Sequence, residues 1–476
     1  MSSSYAPPPG SIPTLEVPDL SNVLSVHLIG IGGAGMSGIA RLLLARGVAV
    51  QGSDLKDSRG LQALRHAGAT VFVGHRADQV GNPDAVVVST AIPERNPEMA
   101  AARSRGIPVW ARAQALAALS SEHRILAVSG THGKTTTTSM LSVILDRLGL
   151  DPSYVIGGDL NEIGSGARHG EGDLFVAEAD ESDGSFLLLS PTVAVVTNVE
   201  EDHLDFYAGG RAEIVQAFAR FMEGANRVVA CGDDPGTRAA IEAAGVDVMT
   251  YGLSPGSAVE VELGEPDHAG ARGLLRIGGV QIDLRLRVPG AHNVLNAAAA
   301  ILGASEAGVD AAAAADAVTA FTGVRRRFEH RGVARGAEFY DDYAHHPTEV
   351  AATLATAMHD ASVRGRVVAV FQPHRYTRTQ ALWRELGESL AAADVVVVTE
   401  VYGAGEEPIP GVTGKLVVDS LAAVAPGKRL VYLPRRSEVI DFLAGEVRDG
   451  DLVLTLGAGD ITMVAEETLE RLREAS

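Results

Sequence analysis

The sequence predicts an α/β protein built from three domains with mostly parallel sheets, and three observations carry that expectation. The chain has 476 residues, which at roughly 150 residues per domain corresponds to about three. From about Ser25 onward, short β-branched runs alternate with helix-length segments, the pattern of βαβ units. Two seams interrupt the alternation. One lies near Ser120–His123, where an Ala-rich helical run gives way to a new strand, and the other near Arg325–Arg335, a basic, Gly-punctuated stretch.

The expected strands are Val26–Ile29, Ala85–Ser89, Ile125–Ser129, Leu174–Glu178, Val193–Asn198, Val367–Phe371, Val395–Thr399 and Leu452–Leu456. They are near-continuous apolar runs, as parallel strands covered on both faces should be. Between about 255 and 290 the pattern becomes alternating, with Gly278-Gly279 at a hairpin position. That predicts an antiparallel appendage on the middle domain. Residues 1–21 contain three consecutive prolines and no Lys or Arg within the first twenty, and are expected to form a disordered tail without the basic and apolar parts of a signal peptide. No apolar run approaches the ~18 residues that span a bilayer. The expectation is a cytoplasmic protein with no membrane insertion.

Acidic residues outnumber basic ones 60 to 40, for a formal charge of -20. That balance argues against nucleic-acid binding, which needs a basic face. The single cysteine, Cys231, excludes a disulfide framework and a Cys-cluster zinc site, and its place after an apolar run predicts a packed thiol. Only four of the basic residues are lysine: Lys56, Lys134, Lys415 and Lys428. A lysine inside a motif therefore carries weight.

Lys134 lies inside one. Ala127-Val128-Ser129-Gly130-Thr131-His132-Gly133-Lys134-Thr135-Thr136 runs from an apolar strand into a Ser/Thr-rich helix start. A Gly-rich turn there points backbone N–H groups at a polyphosphate and adds the helix dipole. Lys134 would reach the β- and γ-phosphates of a nucleotide, and the Thr135 hydroxyl would ligate Mg²⁺. The match to the usual G-x-x-x-x-G-K-[ST] pattern is incomplete, because Val128 stands at its first glycine. None of the four lysines sits in a guanine-reading N-K-x-D motif, so ATP is expected. The octahedral oxygen shell of Mg²⁺ calls for a carboxylate partner, and Glu178, at the end of the run 174–178, is the candidate. In Thr197-Asn198-Val199-Glu200-Glu201-Asp202-His203-Leu204-Asp205, His203 reads equally as a metal ligand and as a surface histidine of an acidic turn.

A second glycine cluster stands near the N-terminus: Gly30, Gly32, Gly33 and Gly35 follow a strand run and open a helix, with Asp54 nineteen residues after Gly35. Alone, this G-x-G-x-x-G pattern and acid point to an NAD-dependent oxidoreductase. The glycines recognise a diphosphate, however, and not a nicotinamide, and a separate phosphate loop in the same chain lowers that reading. A third alternative is a non-enzymatic nucleotide switch, which would turn ATP over slowly and without regard to a second substrate.

Taken together, a diphosphate-binding first domain, a loop reading G-T-H-G-K-T and a third α/β domain resemble the Mur ligase family over residues 22–476. The resemblance implies a Rossmann-like domain for the UDP substrate (22–121), a central P-loop ATP-binding domain (122–326) and a C-terminal Rossmann-like domain for the amino acid (327–476). It implies His203 as a ligand of one magnesium ion and Glu178 of another, since Thr197–Asp205 is similar to the family's T-N-V-x-x-D-H-x-D. His292-Asn293-Val294-Leu295-Asn296 resembles H-N-x-x-N, implying adenine contacts by His292, Asn293 and Asn296. In the run Gly323–Glu329, the Arg preceding Phe implies that Arg327 contacts phosphate. Tyr340-Asp341-Asp342-Tyr343-Ala344-His345-His346-Pro347 implies ribose contact by Asp342 and closure of the C-terminal domain over ATP.

Within the family, Gln372-Pro373-His374-Arg375-Tyr376-Thr377-Arg378-Thr379 is similar to the branch that adds L-alanine to UDP-N-acetylmuramate. It implies that His346, Arg375 and Arg378 hold the incoming amino acid, with the two arginines converging on one carboxylate. No lysine lies between His203 and Lys415, whereas later-acting members carry a carbamoylated lysine downstream of this histidine. The expected reaction is an ATP-dependent ligation through an acyl phosphate, by a monomer or weak homodimer. Its catalytic groups would be Lys134, His203, Arg327 and His346.

Overall fold

The computed structural model describes residues 16–89, 92–161, 165–204, 206–265, 270–359, 365–474. The first fifteen residues of the expected tail, and Asp205 of the acidic turn, lie outside that range. The fold is three-domain α/β with mostly parallel sheets. The chain divides into two compact units: one through Gly264 with Gly273–Arg285 and Val294–Thr322, the other comprising Glu265–Arg272, Leu286–Asn293 and the chain from Gly323.

The first unit holds two sheets. Five parallel strands run in the order Thr70–Val73, Ala49–Asp54, Ser25–Ile29, Ala85–Val88, Val109–Ala111. The central strand is buried along four of its five residues, which explains its unbroken apolar sequence. The larger sheet has ten strands. Its parallel heart places Arg124–Ser129 between Val193–Val196 on one side and Leu174–Glu178 on the other. The expected appendage extends this sheet at one end, as Val259–Leu263, Arg272–Ile277 and Val280–Arg285. Gly278 and Gly279 both take positive φ (55° and 86°) between the last two, as a two-residue turn of type I′ requires. The two sheets share one core: Leu28, Ile39 and Leu43 belong to the same buried cluster as Leu119, Phe175, Phe186 and Phe218.

The second unit is a six-stranded sheet ordered Glu329–Ala334, Ala337–Asp342, Leu452–Leu456, Val367–Phe371, Val395–Val398, Arg429–Tyr432. Only the first strand is antiparallel to its neighbour. Helices cover both faces over two apolar clusters. Among the described residues, no helix is long and apolar enough to cross a membrane. Cys231 is buried, and burial pushes its thiol up.

Candidate active site

A parallel strand flanked by neighbours on both sides opens a crevice at its carboxyl end, and that is where α/β sheets take ligands. Arg124–Ser129 ends there in Gly130–Gly133, and the helix Lys134–Arg147 begins at once. Two glycines make the turn possible. Gly130 has φ 140°, and a Cβ on it would stand 2.0 Å from Thr197 Oγ1. Gly133 has φ 82°, and its Cβ would stand 2.6 Å from Asn296 Oδ1. The neighbouring strand's exit braces the loop: Thr197 Oγ1 and Asn198 Nδ2 donate to the His132 carbonyl (2.5 and 3.0 Å), and Asn198 Oδ1 accepts from His132 N (2.7 Å). Thr131 Oγ1 accepts from Glu200 N at 2.8 Å. The helix behind the loop is buried from Thr135 to Leu145, so the turn is anchored in the core.

Lys134 points back over this loop. Its Nζ donates to the Gly130 carbonyl (2.6 Å), to the Thr131 carbonyl (3.2 Å) and to Glu181 (2.9 Å). Burial opposes the charge on Lys134, but Glu181, Asp180 and Glu178 outweigh it and hold its pKa above the ordinary value. Glu181 is 3% exposed; burial pushes its carboxyl up to about 7, against the opposing pull of Lys134. Its backbone carbonyl accepts from Tyr207 Oη at 2.6 Å. Thr135 Oγ1 donates to Glu178 Oε1 at 3.0 Å, and Gly157 N to Glu178 Oε2 at 2.6 Å. Thr135 and Glu178 are thus brought together as expected. His203 has φ 53° and its Nε2 lies 3.6 Å from Asp202. The Thr135 hydroxyl and the Glu178 carboxylate are oxygen donors of the kind Mg²⁺ takes. His132 Nε2 is 3.5 Å from Glu200, and Thr136 is buried on the helix.

The N-terminal glycines form a second turn. Gly30 N donates to the Ser53 carbonyl and Gly33 N to the Gly30 carbonyl. Gly33 N-caps the helix Ala34–Ala45 without a side chain, which leaves the dipole end open to an anion. Asp54, the acid that follows the glycine pattern, has Oδ2 accepting from Gly32 N at 2.9 Å; it braces this turn. Gly35 faces Arg112, whose Nη2 lies 3.2 Å from Asp180 Oδ2.

In the second unit, the arginine run separates by role. Arg326 is an anchor: it pairs with fully buried Asp341 (3.2 Å) and donates to the Gly457 carbonyl (2.6 Å). Arg327, which like Arg326 lies over the Tyr343 ring, is 3.8 Å from Glu349. Asp342 accepts from Phe328 N (2.7 Å) and Ala344 N (2.8 Å), and burial raises its carboxyl to about 6 despite Arg327. Burial and Arg327 lower His292 to about 4, so it is a neutral ring at physiological pH. Asn293 Nδ2 donates to the Pro289 carbonyl at 2.6 Å.

His346 is buried. Its neighbour His345, lowered by burial to about 3, stacks edge-on with His374, which is stacked in turn on Tyr402. Arg378 is buried with Nη1 3.2 Å from His374 Nδ1, whereas Arg375 Nε lies 2.6 Å from Glu406. Arg375 (φ 68°) precedes the helix that carries Arg378.

Asn296 is likewise committed within the first unit, accepting from Thr137 Oγ1 at 3.3 Å beside Gly133. Sequence reasoning missed Arg112, Glu181, Thr197, Asn198 and Glu406. Thr197 and Asn198 had a signal, standing in the motif that holds His203; the others come from loops far apart in sequence.

Three family models match in succession: "Mur ligase family, catalytic domain" over residues 25–124, "Mur ligase middle domain" over 128–304 and "Mur ligase, glutamate ligase domain" over 326–459. The chain is 50% identical over 463 residues to the UDP-N-acetylmuramate–L-alanine ligase of Saccharopolyspora erythraea, covering 95% of this chain and 94% of that one. It is 50% identical over 452 residues to the enzyme of that name from Rubrobacter xylanophilus, covering 94% and 100%. Among solved structures, the UDP-N-acetylmuramate–alanine ligase of Thermotoga maritima superposes with a TM-score of 0.81 at 31% identity, covering 95% of this chain and all of that one.

Proposed function

The chain belongs to the Mur ligase family, and from that premise we propose that it is an ATP-dependent ligase joining L-alanine to the carboxylate of UDP-N-acetylmuramate in peptidoglycan biosynthesis. The observation that carries this reading is the braced phosphate loop around Lys134, in a chain alike over nearly its full length to alanine-adding ligases. The glycine turn at Gly30, Gly32, Gly33 and Gly35, held by Asp54, takes the diphosphate of the sugar nucleotide, so the oxidoreductase reading is not needed to explain it.

The carboxylate of the sugar's lactyl group attacks the γ-phosphorus of ATP; the bond to the β-phosphate oxygen breaks, giving ADP and an acyl phosphate. The amine of L-alanine then adds to the acyl carbon. The tetrahedral intermediate collapses with loss of phosphate and a proton, leaving the amide. Lys134 and Arg327 offset charge on the transferred phosphoryl group, together with the N–H groups of the loop Gly130–Gly133 that Asn198 does not occupy, since Asn198 accepts from Thr131 N and His132 N. Thr135 and Glu178 would hold one Mg²⁺ and His203 a second, which supply charge neutralisation at the phosphates. Thr136 closes the loop's helix start. His292, Asn293 and Asn296 receive adenine and Asp342 the ribose, Asn296 and Asp342 also bracing their loops. His346, Arg375 and Arg378 hold the amino acid, with Arg378 preset by His374 and Arg375 exchanging Glu406 for the substrate carboxylate.

The test is phosphate release with ATP, Mg²⁺ and UDP-N-acetylmuramate, with and without L-alanine. Release that depends on L-alanine, with the amide product seen by mass spectrometry, is expected; equal release without it sinks the reading.

A further inference from the structure

Resting on the reading of the glycine turn as the diphosphate site, we infer that Arg112 is a further substrate-binding residue, which takes the sugar nucleotide's diphosphate and releases Asp180 to do so. The turn itself is poor in charge: no Lys or Arg occurs from Gly30 to Ala40. Backbone N–H groups and a helix dipole, worth about half an elementary charge, face a ligand carrying about two. The missing cation comes from another helix. Arg112 opens the helix Arg112–Ser120, whose first turn is fixed by Ala111 N donating to Gln114 Oε1 at 2.8 Å.

From there the guanidinium lies directly over Gly35. A Cβ at Gly35 would sit 2.8 Å from Arg112 Nη1 and 3.3 Å from its Cδ. Glycine at position 35 thus leaves room for the guanidinium at the very turn that would hold a diphosphate. The Arg112 side chain is a quarter exposed, and its ion pair is a single contact, Nη2 to Asp180 Oδ2 at 3.2 Å, with the Asp180 side chain 38% exposed. Against burial, Arg112 is the leading cation that holds the Asp180 carboxyl down to about 2, and Lys134 adds to it, so Asp180 keeps a second cation when the guanidinium turns to the ligand. A diphosphate offers the guanidinium two parallel charge-assisted bonds, so it displaces Asp180. Asp180 adjoins Glu181, the partner of Lys134, so the exchange takes place one residue from the ATP site.

The test is titration calorimetry of the full-length protein with UDP-N-acetylmuramate, and separately with a non-hydrolysable ATP analogue and Mg²⁺. Arg112→Ala should weaken the sugar nucleotide by on the order of tenfold or more, Arg112→Lys by less, and both should leave the ATP analogue within about twofold. Asp180→Asn, by removing the competitor, should tighten the sugar nucleotide by a few-fold. Unchanged sugar-nucleotide binding in Arg112→Ala, equal losses for both ligands, or weaker sugar-nucleotide binding in Asp180→Asn would each overturn the role of Arg112. If the wild-type protein binds no UDP-N-acetylmuramate at all, it is the proposed function that falls.

Discussion

Lys134 Nζ and the carboxylate of Glu181 stand 2.9 Å apart, with Glu181 almost fully buried. The lysine that would meet the γ-phosphate therefore already has a carboxyl partner, one that a nucleotide must replace. Removing one member of a buried pair leaves the other uncompensated. Burial, however, pushes the Glu181 carboxyl up to about 7 against the pull of Lys134, so ionising it costs folding free energy, and Glu181→Gln should leave the melting temperature of the nucleotide-free protein at pH 8 unchanged or higher. ATP analogue with Mg²⁺ should then raise the melting temperature more in the variant than in the wild type, because the phosphates supply the missing charge. An equal or smaller ligand-induced shift in Glu181→Gln would show that Glu181 is not the group being displaced.

Lys134 and Arg378 should separate cleanly in steady-state kinetics. Lys134→Ala removes transition-state charge stabilisation and should reduce kcat by at least about a hundredfold. Arg378→Ala removes a carboxylate partner of the ground state as much as of the transition state. It should raise the KM for L-alanine by on the order of tenfold or more, with kcat changed far less. The reverse pattern would break both assignments.

Much of this was legible in the sequence because buried parallel strands have to be continuously apolar. Leu174–Glu178, Val367–Phe371 and Leu452–Leu456 begin and end where their apolar runs do. Short edge strands such as Thr70–Val73 and Val109–Ala111, only partly buried, gave no such run. Of the site, what could be read was local. Gly130 through Thr135 form one contiguous loop, and the Thr135–Glu178 contact follows from two strand ends in one parallel sheet. Arg112–Asp180 and Arg375–Glu406 depend on where distant loops arrive, which no spacing encodes. Asp54 and Asp342 were found as acids at strand ends, but their bonds to Gly32, Phe328 and Ala344 N–H groups are visible only in three dimensions.

Gly130 offers a steric test of the phosphate loop. At φ 140°, with a Cβ placed 2.0 Å from Thr197 Oγ1 and 3.1 Å from Asn198 N, Gly130→Ala must push the loop off its brace. Strain of this kind costs about 1–3 kcal/mol, and ATP-analogue affinity should drop by more than about tenfold as the loop N–H groups lose their aim. Gly149 is the control. It also has positive φ (75°), but nothing lies within 4 Å of its would-be Cβ. Gly149→Ala should therefore cost stability of about 1 kcal/mol and leave the calorimetric affinity unchanged; a comparable loss of affinity there would refute the steric account.

A buried carboxylate in the first sheet sets an acid limit on stability. Glu98 is fully buried; Ser53 Oγ donates to it at 2.5 Å, His75 Nδ1 is hydrogen-bonded to it at 3.2 Å, and His27 Nε2 lies 3.6 Å away. Burial pushes its pKa up, but His27, Ser53 and His75 outweigh burial and hold the folded-state value below the ordinary 4.5. The sign follows from linkage: a carboxyl depressed on folding stabilises the protein above its unfolded pKa, and that contribution is lost as pH falls through the folded value. Glu98→Gln keeps the shape but not the charge. At pH 7 it should lower the melting temperature by the equivalent of about 1–3 kcal/mol. The gap to wild type should narrow as the pH is taken below about 4.5. A gap that stays constant between pH 7 and pH 4 would mean that Glu98 is not held ionised by its neighbours.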